Sequence, residues 1–351
     1  MKFIHIADVH LGADPDAGDA YSEKRGREIW NSLAQIMKIC NEERADLLLI
    51  AGDLFHRQPL LRELKEVNYL FGTLEKTQVV LIAGNHDYLK RDSYYRGFEW
   101  QAHVHMILDR ELSVVEIPEL SLAVYGLSYH EREIPEGRYD HAFAKKRQRY
   151  EILLAHGGDD RHIPFCTRKL GALGYDYIAL GHIHKPWCEE GGNMAYAGAL
   201  EPIDKNDTGA HGYILGELTD AGCKLQFVPC ALREYVHLKI TAEKTMTGHE
   251  LKARIRKEIE KRGIRNIYKI VIKGMRDPDI LFDLADMDTC GNIIDLTDDT
   301  KPAYDFAKLL VQNGGNLLGS YIRELIDHDE DSIEYLALCE GVQALMETRR
   351  G

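Results

Sequence analysis

The sequence predicts an α/β fold: parallel strands flanked by helices, a second sheet of short strands, then a smaller α/β domain and a helical tail. Three observations predict it. First, five apolar runs stop abruptly at polar residues. Phe3-Ile4-His5-Ile6-Ala7 precedes Asp8-Val9-His10, and Leu47-Leu48-Leu49-Ile50-Ala51 precedes Gly52-Asp53. Val79-Val80-Leu81-Ile82-Ala83 precedes Gly84-Asn85-His86-Asp87, Ile152-Leu153-Leu154-Ala155 precedes His156-Gly157, and Ile178-Ala179-Leu180 precedes Gly181-His182-Ile183-His184. Second, amphipathic stretches of helical period separate the first three runs. Third, closely spaced short strands follow them. Short aliphatic runs bounded by glycine read as buried strands, and open α/β sheets place their ligands at the carboxyl ends of such strands.

Each element has its own justification. Residues 23–44 carry Ile29, Leu33, Ile36, Met37 and Cys40 at helical spacing, and residues 60–76 carry Leu64, Val67, Leu70, Phe71 and Leu74. Strand, helix, strand, helix, strand is a parallel, right-handed βαβ arrangement. Residues 106–108, 112–117 and 120–126 read as short strands of a second, mixed sheet packed on the first. Residues 194–199, 212–218 and 223–228 read as an antiparallel finish, closing a first domain of residues 1–232. A domain of residues 233–300 follows, with strands at 235–241, 266–273 and 293–296 and an amphipathic helix on Leu251, Ile255 and Ile259. Residues 301–351 read as two helices, the first on Phe306, Leu309, Leu310, Leu317, Leu318, Ile322 and Leu325, the second on Ile333, Leu336, Val342 and Leu345.

Composition narrows the class. At 351 residues, 44% hydrophobic and 29% charged, the chain has the make-up of a globular protein with a full core. It has no apolar stretch of bilayer length, and Met1-Lys2-Phe3-Ile4 opens a strand without the features of a secretory leader, so a cytoplasmic protein is expected. Seven cysteines without CxxC spacing suggest neither a disulfide framework nor a thiolate zinc site. A net charge of −13 argues against a general polyanion-binding surface. Yet residues 237–276 hold twelve Lys and Arg against four Glu, a local excess of +8 that leaves −21 elsewhere.

The chemistry lies in the strand-end loops. Asp8, His10, Asp53, Asn85, His156, His182 and His184 offer oxygen and nitrogen donors from five loops on one rim. Without a thiolate, the set favours Mn²⁺, Fe or catalytic Zn²⁺ over a structural zinc knot. Seven donors exceed one ion's needs and suit two ions that share a carboxylate, for which Asp53, alone at its strand end, is the natural bridge. Alternation along extended chain would turn Asp8 and His10 to the same side. The bland reading is a coincidence of polar strand caps. His5, inside a strand, reads as a core histidine.

The ordered motifs Asp8-x-His10, Gly52-Asp53, Gly84-Asn85-His86-Asp87, His156-Gly157 and Gly181-His182-x-His184 resemble the calcineurin-like metallophosphoesterase superfamily, over about the first two hundred residues. His5-Ile6-Ala7-Asp8-Val9-His10-Leu11-Gly12, Ala51-Gly52-Asp53-Leu54-Phe55-His56 and Gly181-His182-Ile183-His184-Lys185-Pro186 look like its DNA-repair exonuclease branch, of SbcD type. Tyr196-Ala197-Gly198-Ala199-Leu200-Glu201-Pro202 fits that branch too, except that Ala199 stands where a serine is expected. The resemblance implies a four-layer α/β/β/α sandwich with a small α/β cap and a helical C-terminal segment. It implies two divalent ions, Mn²⁺ first with Fe or Zn as alternatives, one among Asp8, His10, Asp53 and His184, the other among Asp53, Asn85, His156 and His182. A water held by the cations would be the nucleophile, with His86 assisting at the transition state, Asp87 orienting its imidazole, and His56 helping to position the phosphate. The implied partners are DNA, an SbcC-type SMC-like ATPase docked on the C-terminal helices, and a second copy of the chain.

Rival readings stand beside these. The same core can act on a nucleotide or other small phosphoester, and a non-catalytic module can use the later domains to dock DNA or protein. Lys252, Arg254, Arg256, Lys257 and Lys261 can grip a DNA backbone. Glu250, Glu258 and Glu260 interleave with them, so a salt-bridged solvated helix face is the equal alternative.

Overall fold

Aliphatic runs at period two build two sheets of six strands within residues 1–235. The computed structural model describes residues 1–329 and 332–348 and divides into that unit and a second, residues 236–351. In the first sheet, β1 (Lys2–Ile6), β2 (Leu47–Ala51), β3 (Gln78–Ile82) and β4 (Val104–Ile107) lie side by side and parallel. Helices α1 (Ser22–Glu42) and α2 (Leu61–Phe71) connect the first three. The second sheet contains β5 (Ser113–Ile117), β6 (Leu122–Gly126), β7 (Tyr150–His156), β8 (Tyr177–Gly181), β9 (Trp187–Cys188) and β10 (Met194–Tyr196), with the short α3 (Thr167–Gly171) between β7 and β8. Its order is β5-β6-β7-β8-β10-β9, parallel from β6 to β10 and antiparallel at both edges. The chain then returns to the first sheet, adding β11 (Gly212–Thr219) and β12 (Gly222–Pro229) antiparallel beside β1.

The layers follow from alternation along the strands. Phe3, Leu47, Leu49, Val80 and Ile82 face Val124, Ile152, Leu154, Tyr177 and Ala179 across the two sheets. Ile4, Ile6, Leu48, Ile50, Val79 and Leu81 point the other way, onto Ile29, Leu33, Ile36 and Met37 of α1 and Leu64, Val67 and Phe71 of α2. On the far side of the second sheet, Tyr125, Leu153, Ile178 and Leu180 pack on Leu170 of α3 and on Tyr129, Tyr139 and Ile163 from connecting chain. The result is the four-layer α/β/β/α sandwich, its last layer made largely of irregular chain.

Several details differ from the sequence reading. The strand read at 194–199, expected in the antiparallel finish, is β10 and runs parallel to β8 in the second sheet. The strand at 104–107 belongs to the first sheet, beside β3, because its parallel partner is fixed by a crossover that periodicity does not encode. Helix α2 stops at Phe71, where Gly72 takes the C-cap and its N–H bonds to the Asn68 carbonyl at 3.0 Å.

The second unit has a three-stranded sheet of β13 (Tyr235–Ala242), β14 (Ile267–Arg276) and β15 (Ile293–Pro302), in that order. Helix α4 (Gly248–Arg262) starts at a capping box of Thr247 and Glu250 and ends at Gly263. It buries Leu251, Ile255 and Ile259 against Leu238, Ile240, Ile270 and Ile272. Among the described residues three helices follow rather than two: α5 (Phe306–Asn313), α6 (Leu317–Leu325) and α7 (Ile333–Glu347). Gly314-Gly315 breaks the first expected helix and Asn316 caps the next, its side chain accepting from the Gly319 N–H. These helices share a core of Leu318, Ile322, Tyr335, Leu338 and Val342. Parts of the segment read as residues 301–351, namely 330–331 and 349–351, lie outside the described residues. Among the described residues no helix is long and apolar enough to cross a membrane.

Candidate metal centre

The rim residues depend on unusual backbone. Asp8 (φ 49°), His10 (φ 53°), Asp53 (φ 49°) and His182 (φ 93°) all sit in the left-handed region. Such conformations cost on the order of 1–3 kcal/mol each and persist where the surroundings over-determine them. Asp8 and His10 therefore converge through left-handed turns after β1, not through the extended alternation expected from sequence. Cross-loop bonds hold these turns: Asp8 N–H to the Gly52 carbonyl at 3.1 Å and His10 N–H to the Asp53 carbonyl at 3.0 Å. His182 N–H donates to the Asp8 carboxylate at 2.9 Å, and His86 N–H to Asp53 Oδ1 at 2.8 Å. Glycine is required where loops touch. A Cβ at Gly84 would stand 2.2 Å from Asp53 Oδ1, and one at Gly52 would stand 2.4 Å from His156 Nδ1.

The fold brings all seven predicted donors together. His10 Nε2 and His184 Nε2 face each other at 3.1 Å, and with Asp8 they form one compact donor group. Asn85 Oδ1 lies 2.9 Å from His156 Nε2 and 3.1 Å from His182 Nδ1. His156 Nε2 is 3.5 Å from Asp53 Oδ2, and Asp8, Asp53 and His156 form a second, fully buried group. The other ring nitrogens are already engaged. His156 Nδ1 meets the Ala51 carbonyl at 2.8 Å, His182 Nε2 meets Asp159 Oδ2 at 2.8 Å, and His184 Nδ1 meets Asp207 Oδ2 at 3.0 Å. Those partners assign the tautomers that leave Nε2, Nδ1 and Nε2 as lone-pair donors into the centre. Facing imidazole lone pairs and two buried carboxylates, with no thiolate, fit divalent cations.

Electrostatics show that protons compete with a cation for two of these nitrogens, on His156 and His184. Burial alone would raise Asp53, but His156, then His10 and His86, outweigh it and hold the carboxyl well below its usual range. Burial raises Asp8 to about 6, with the Asp53 charge adding to it. His156 is held up to about 9 because Asp53 overcomes the effect of burial, and His184 to about 9 because Asp207 does the same. Burial drives His10 well below its ordinary value. His5, by contrast, is a core histidine lowered to about 3 by burial, its Nδ1 2.8 Å from the Tyr177 hydroxyl.

His86 stands at the edge of this centre. Its ring centroid lies 4.8 Å from that of His10 and 5.0 Å from that of His56, and its Nδ1 meets the His56 carbonyl at 3.1 Å. Asp87 does not orient it, and that expectation is corrected. The buried Asp87 carboxylate accepts from Gly84 N–H at 2.8 Å, Phe55 N–H at 3.2 Å and the Tyr95 hydroxyl at 2.8 Å. These bonds fold its side chain back under the loop, away from the His86 ring, so Asp87 anchors the Asn85-His86 turn to the Asp53 loop. Beside His56 and His86 opens a cavity of about 540 Å³ whose wall includes Arg57, Lys90 and Arg132.

Sequence reasoning misses the two carboxylates that face His182 and His184, Asp159 and Asp207. Asp159 lies three residues past His156 and also meets His162 Nδ1 at 2.8 Å, but isolated aspartates in polar loops carry no pattern. The basic helix lies in the second unit, and most of its charge is paired there. Lys252 pairs with Asp286 at 2.8 Å, Arg254 with Glu243 at 2.9 Å and Arg256 with Glu260 at 2.8 Å. Lys257 and Lys261 form no ion pair among the described residues.

Comparison with known proteins gives a consistent result. The family model for calcineurin-like phosphoesterases matches residues 1–186, a span that contains all seven donors. An uncharacterized metallophosphoesterase, YhaO of Bacillus subtilis, is 29% identical over 271 residues, which cover 71% of this chain and 65% of that protein. The DNA double-strand break repair protein Mre11 of Methanocaldococcus jannaschii is 29% identical over 218 residues, 59% of this chain and 58% of that one. This chain thus spans less than two thirds of the length of either relative. A crystal structure of a dimetal phosphatase from Danio rerio aligns with a TM-score of 0.40 at 15% identity, over 64% of this chain and 96% of that one.

Proposed function

The chain belongs to the calcineurin-like phosphoesterase family, hydrolases of phosphoester bonds, and from that premise we propose that it is a dimetal-dependent DNA nuclease acting in repair or recombination. The observation that carries this reading is the convergence of donors in two facing sets, His10 with His184 and Asn85 with His156 and His182, around the buried Asp8 and Asp53. Mre11 proteins, named for DNA double-strand break repair, at 25–29% identity support DNA as the substrate.

In this reading Asp8, His10, Asp53 and His184 hold one ion, and Asp53, Asn85, His156 and His182 hold the other, with Mn²⁺ the ion of first choice. When bound, such a pair supplies Lewis-acid charge to phosphoryl oxygens and acidifies water. The chain's own residues do the rest. His86, its Nδ1 fixed on the His56 carbonyl, presents Nε2 to donate a proton to the departing sugar oxygen. His56, Arg57, Lys90 and Arg132 position the anionic backbone along the adjoining cavity. Residues 233–300 serve as a DNA-facing cap, with Lys257 and Lys261 meeting the phosphates. Residues 301–351 dock an SbcC-type SMC-like ATPase, and a homodimer completes the assembly. The protein cuts from strand ends and also within strands.

End-labelled double-stranded DNA tests this. With Mn²⁺ the protein is expected to release label from DNA ends, and release is expected to cease on chelation. Turnover of a chromogenic phosphodiester without any release from DNA would instead support an enzyme of small phosphoesters.

A further inference from the structure

Past His184 the chain enters the edge of the second sheet and displays a surface that a bare phosphate does not require. Trp187 opens the edge strand β9 and pairs across to Tyr196 of β10. Their ring centroids lie 6.3 Å apart, with planes at 57°. Tyr196 is 8% exposed and its hydroxyl donates to the Gly157 carbonyl at 3.0 Å, whereas Trp187 is 42% exposed. The other two tryptophans, Trp30 and Trp100, pack against the core beneath the first sheet. Trp187 is thus an indole offered to solvent on a frame that fixes its position.

A cavity of about 510 Å³ opens against it, lined by Thr167, Ile183, Lys185, Pro186, Trp187 and Tyr196. That volume is in the range of pockets that hold small ligands. Ile183 sits between His182 and His184, so one short stretch of chain supplies both the wall of the cavity and two donors of the metal centre. Lys185 forms no ion pair among the described residues, which leaves its charge for an anion beside a mostly apolar wall. A phosphoryl group is recognised by polar groups. An exposed indole flanked by aliphatic side chains and one cation matches a flat aromatic ring that carries a phosphate.

We propose that this cavity is a nucleobase subsite, in which the base next to the scissile phosphate stacks on Trp187 while Lys185 pairs with the adjoining phosphate. The inference rests on the phosphodiesterase reading of the neighbouring centre and narrows its substrate to nucleic acid whose terminal base has left the helical stack. A stacking platform accepts any base, so the subsite selects unpaired strand rather than sequence.

The test uses the full chain with Mn²⁺, its Trp187→Ala and Trp187→Tyr variants, and two substrates, thymidine 5′-(p-nitrophenyl phosphate) and methyl p-nitrophenyl phosphate. Trp187→Ala is expected to lower the ratio of kcat/KM for the base-bearing over the base-free substrate about tenfold, and Trp187→Tyr to restore most of it. A second readout is independent of turnover: a thymidine pentanucleotide is expected to quench the tryptophan fluorescence of the chain without added metal, and the quench to vanish in Trp187→Ala. An unchanged ratio together with an unchanged quench would overturn the subsite. A wild-type chain that turns over neither substrate would refute the phosphodiesterase reading, and the quench alone would then decide whether the cavity holds a base.

Discussion

At the scale of single residues, the centre is defined as much by what orients the histidines as by the histidines themselves. Asp159 and Asp207 accept from the outward ring nitrogens of His182 and His184 at 2.8 and 3.0 Å, fixing which nitrogen faces inward. Losing such a partner typically costs 10–100-fold in metal affinity. Asp207→Asn is therefore expected to weaken one class of Mn²⁺ site by about that factor in a calorimetric titration, leaving the second class near its original affinity. His86 groups with His10 and His56, their ring nitrogens within 4.8 Å of one another, but with neither His156 nor His182. Replacing it with Ala is expected to lower kcat by about 10²–10⁴-fold with the Mn²⁺ content of the protein unchanged. Sequence conveyed which seven residues the fold would gather, because they lie in the loops that end aliphatic runs. It did not convey Asp159, Asp207 or the true partners of Asp87, because those hydrogen bonds join loops that periodicity cannot pair.

At the scale of elements, strands β1, β2, β3, β7 and β8 were legible because five or so aliphatic residues bounded by glycine admit few other structures. Which sheet β4 joins was not legible, since a parallel partner depends on a crossover. The break between α5 and α6 was written in Gly314-Gly315-Asn316, and the apolar spacing on either side concealed it. Loop-to-loop packing makes a sharper prediction. Gly84→Ala would force a Cβ to 2.2 Å from Asp53 Oδ1. It is expected to destabilise the fold by about 1–3 kcal/mol, read as a lower midpoint in urea, and to impair metal binding as Asp53 shifts.

At the scale of the whole molecule, ion pairs close the first unit on itself. Arg233 and the fully buried Arg25 both grip Glu28, at 2.7 and 2.8 Å. Burial alone would raise Glu28, but hydrogen bonds from Arg233 and Arg25 outweigh it and lower its pKa below the ordinary value of 4.5. A carboxyl lowered on folding contributes stability that is full above its unfolded value and is lost as pH falls through the folded value. Glu28→Gln is thus expected to reduce the urea midpoint at pH 7, with the gap from wild type narrowing as pH drops below about 4.5. Charge also acts globally: a chain of −13 carries a +8 excess within residues 237–276. If Lys257 and Lys261 meet phosphates, changing both to Ala lowers the slope of log K against log salt for DNA binding by about 0.9 for each phosphate no longer neutralised. An unchanged slope would leave α4 as a solvated face, in keeping with the ion pairs of Lys252, Arg254 and Arg256.

The most direct measurement of a paired metal centre is anomalous diffraction at the manganese edge from crystals equilibrated with Mn²⁺. Two peaks are predicted, roughly 3.5–4 Å apart, with Asp53 between them and His184 and His182 on opposite ions. A single peak, or peaks remote from Asp53, would contradict it.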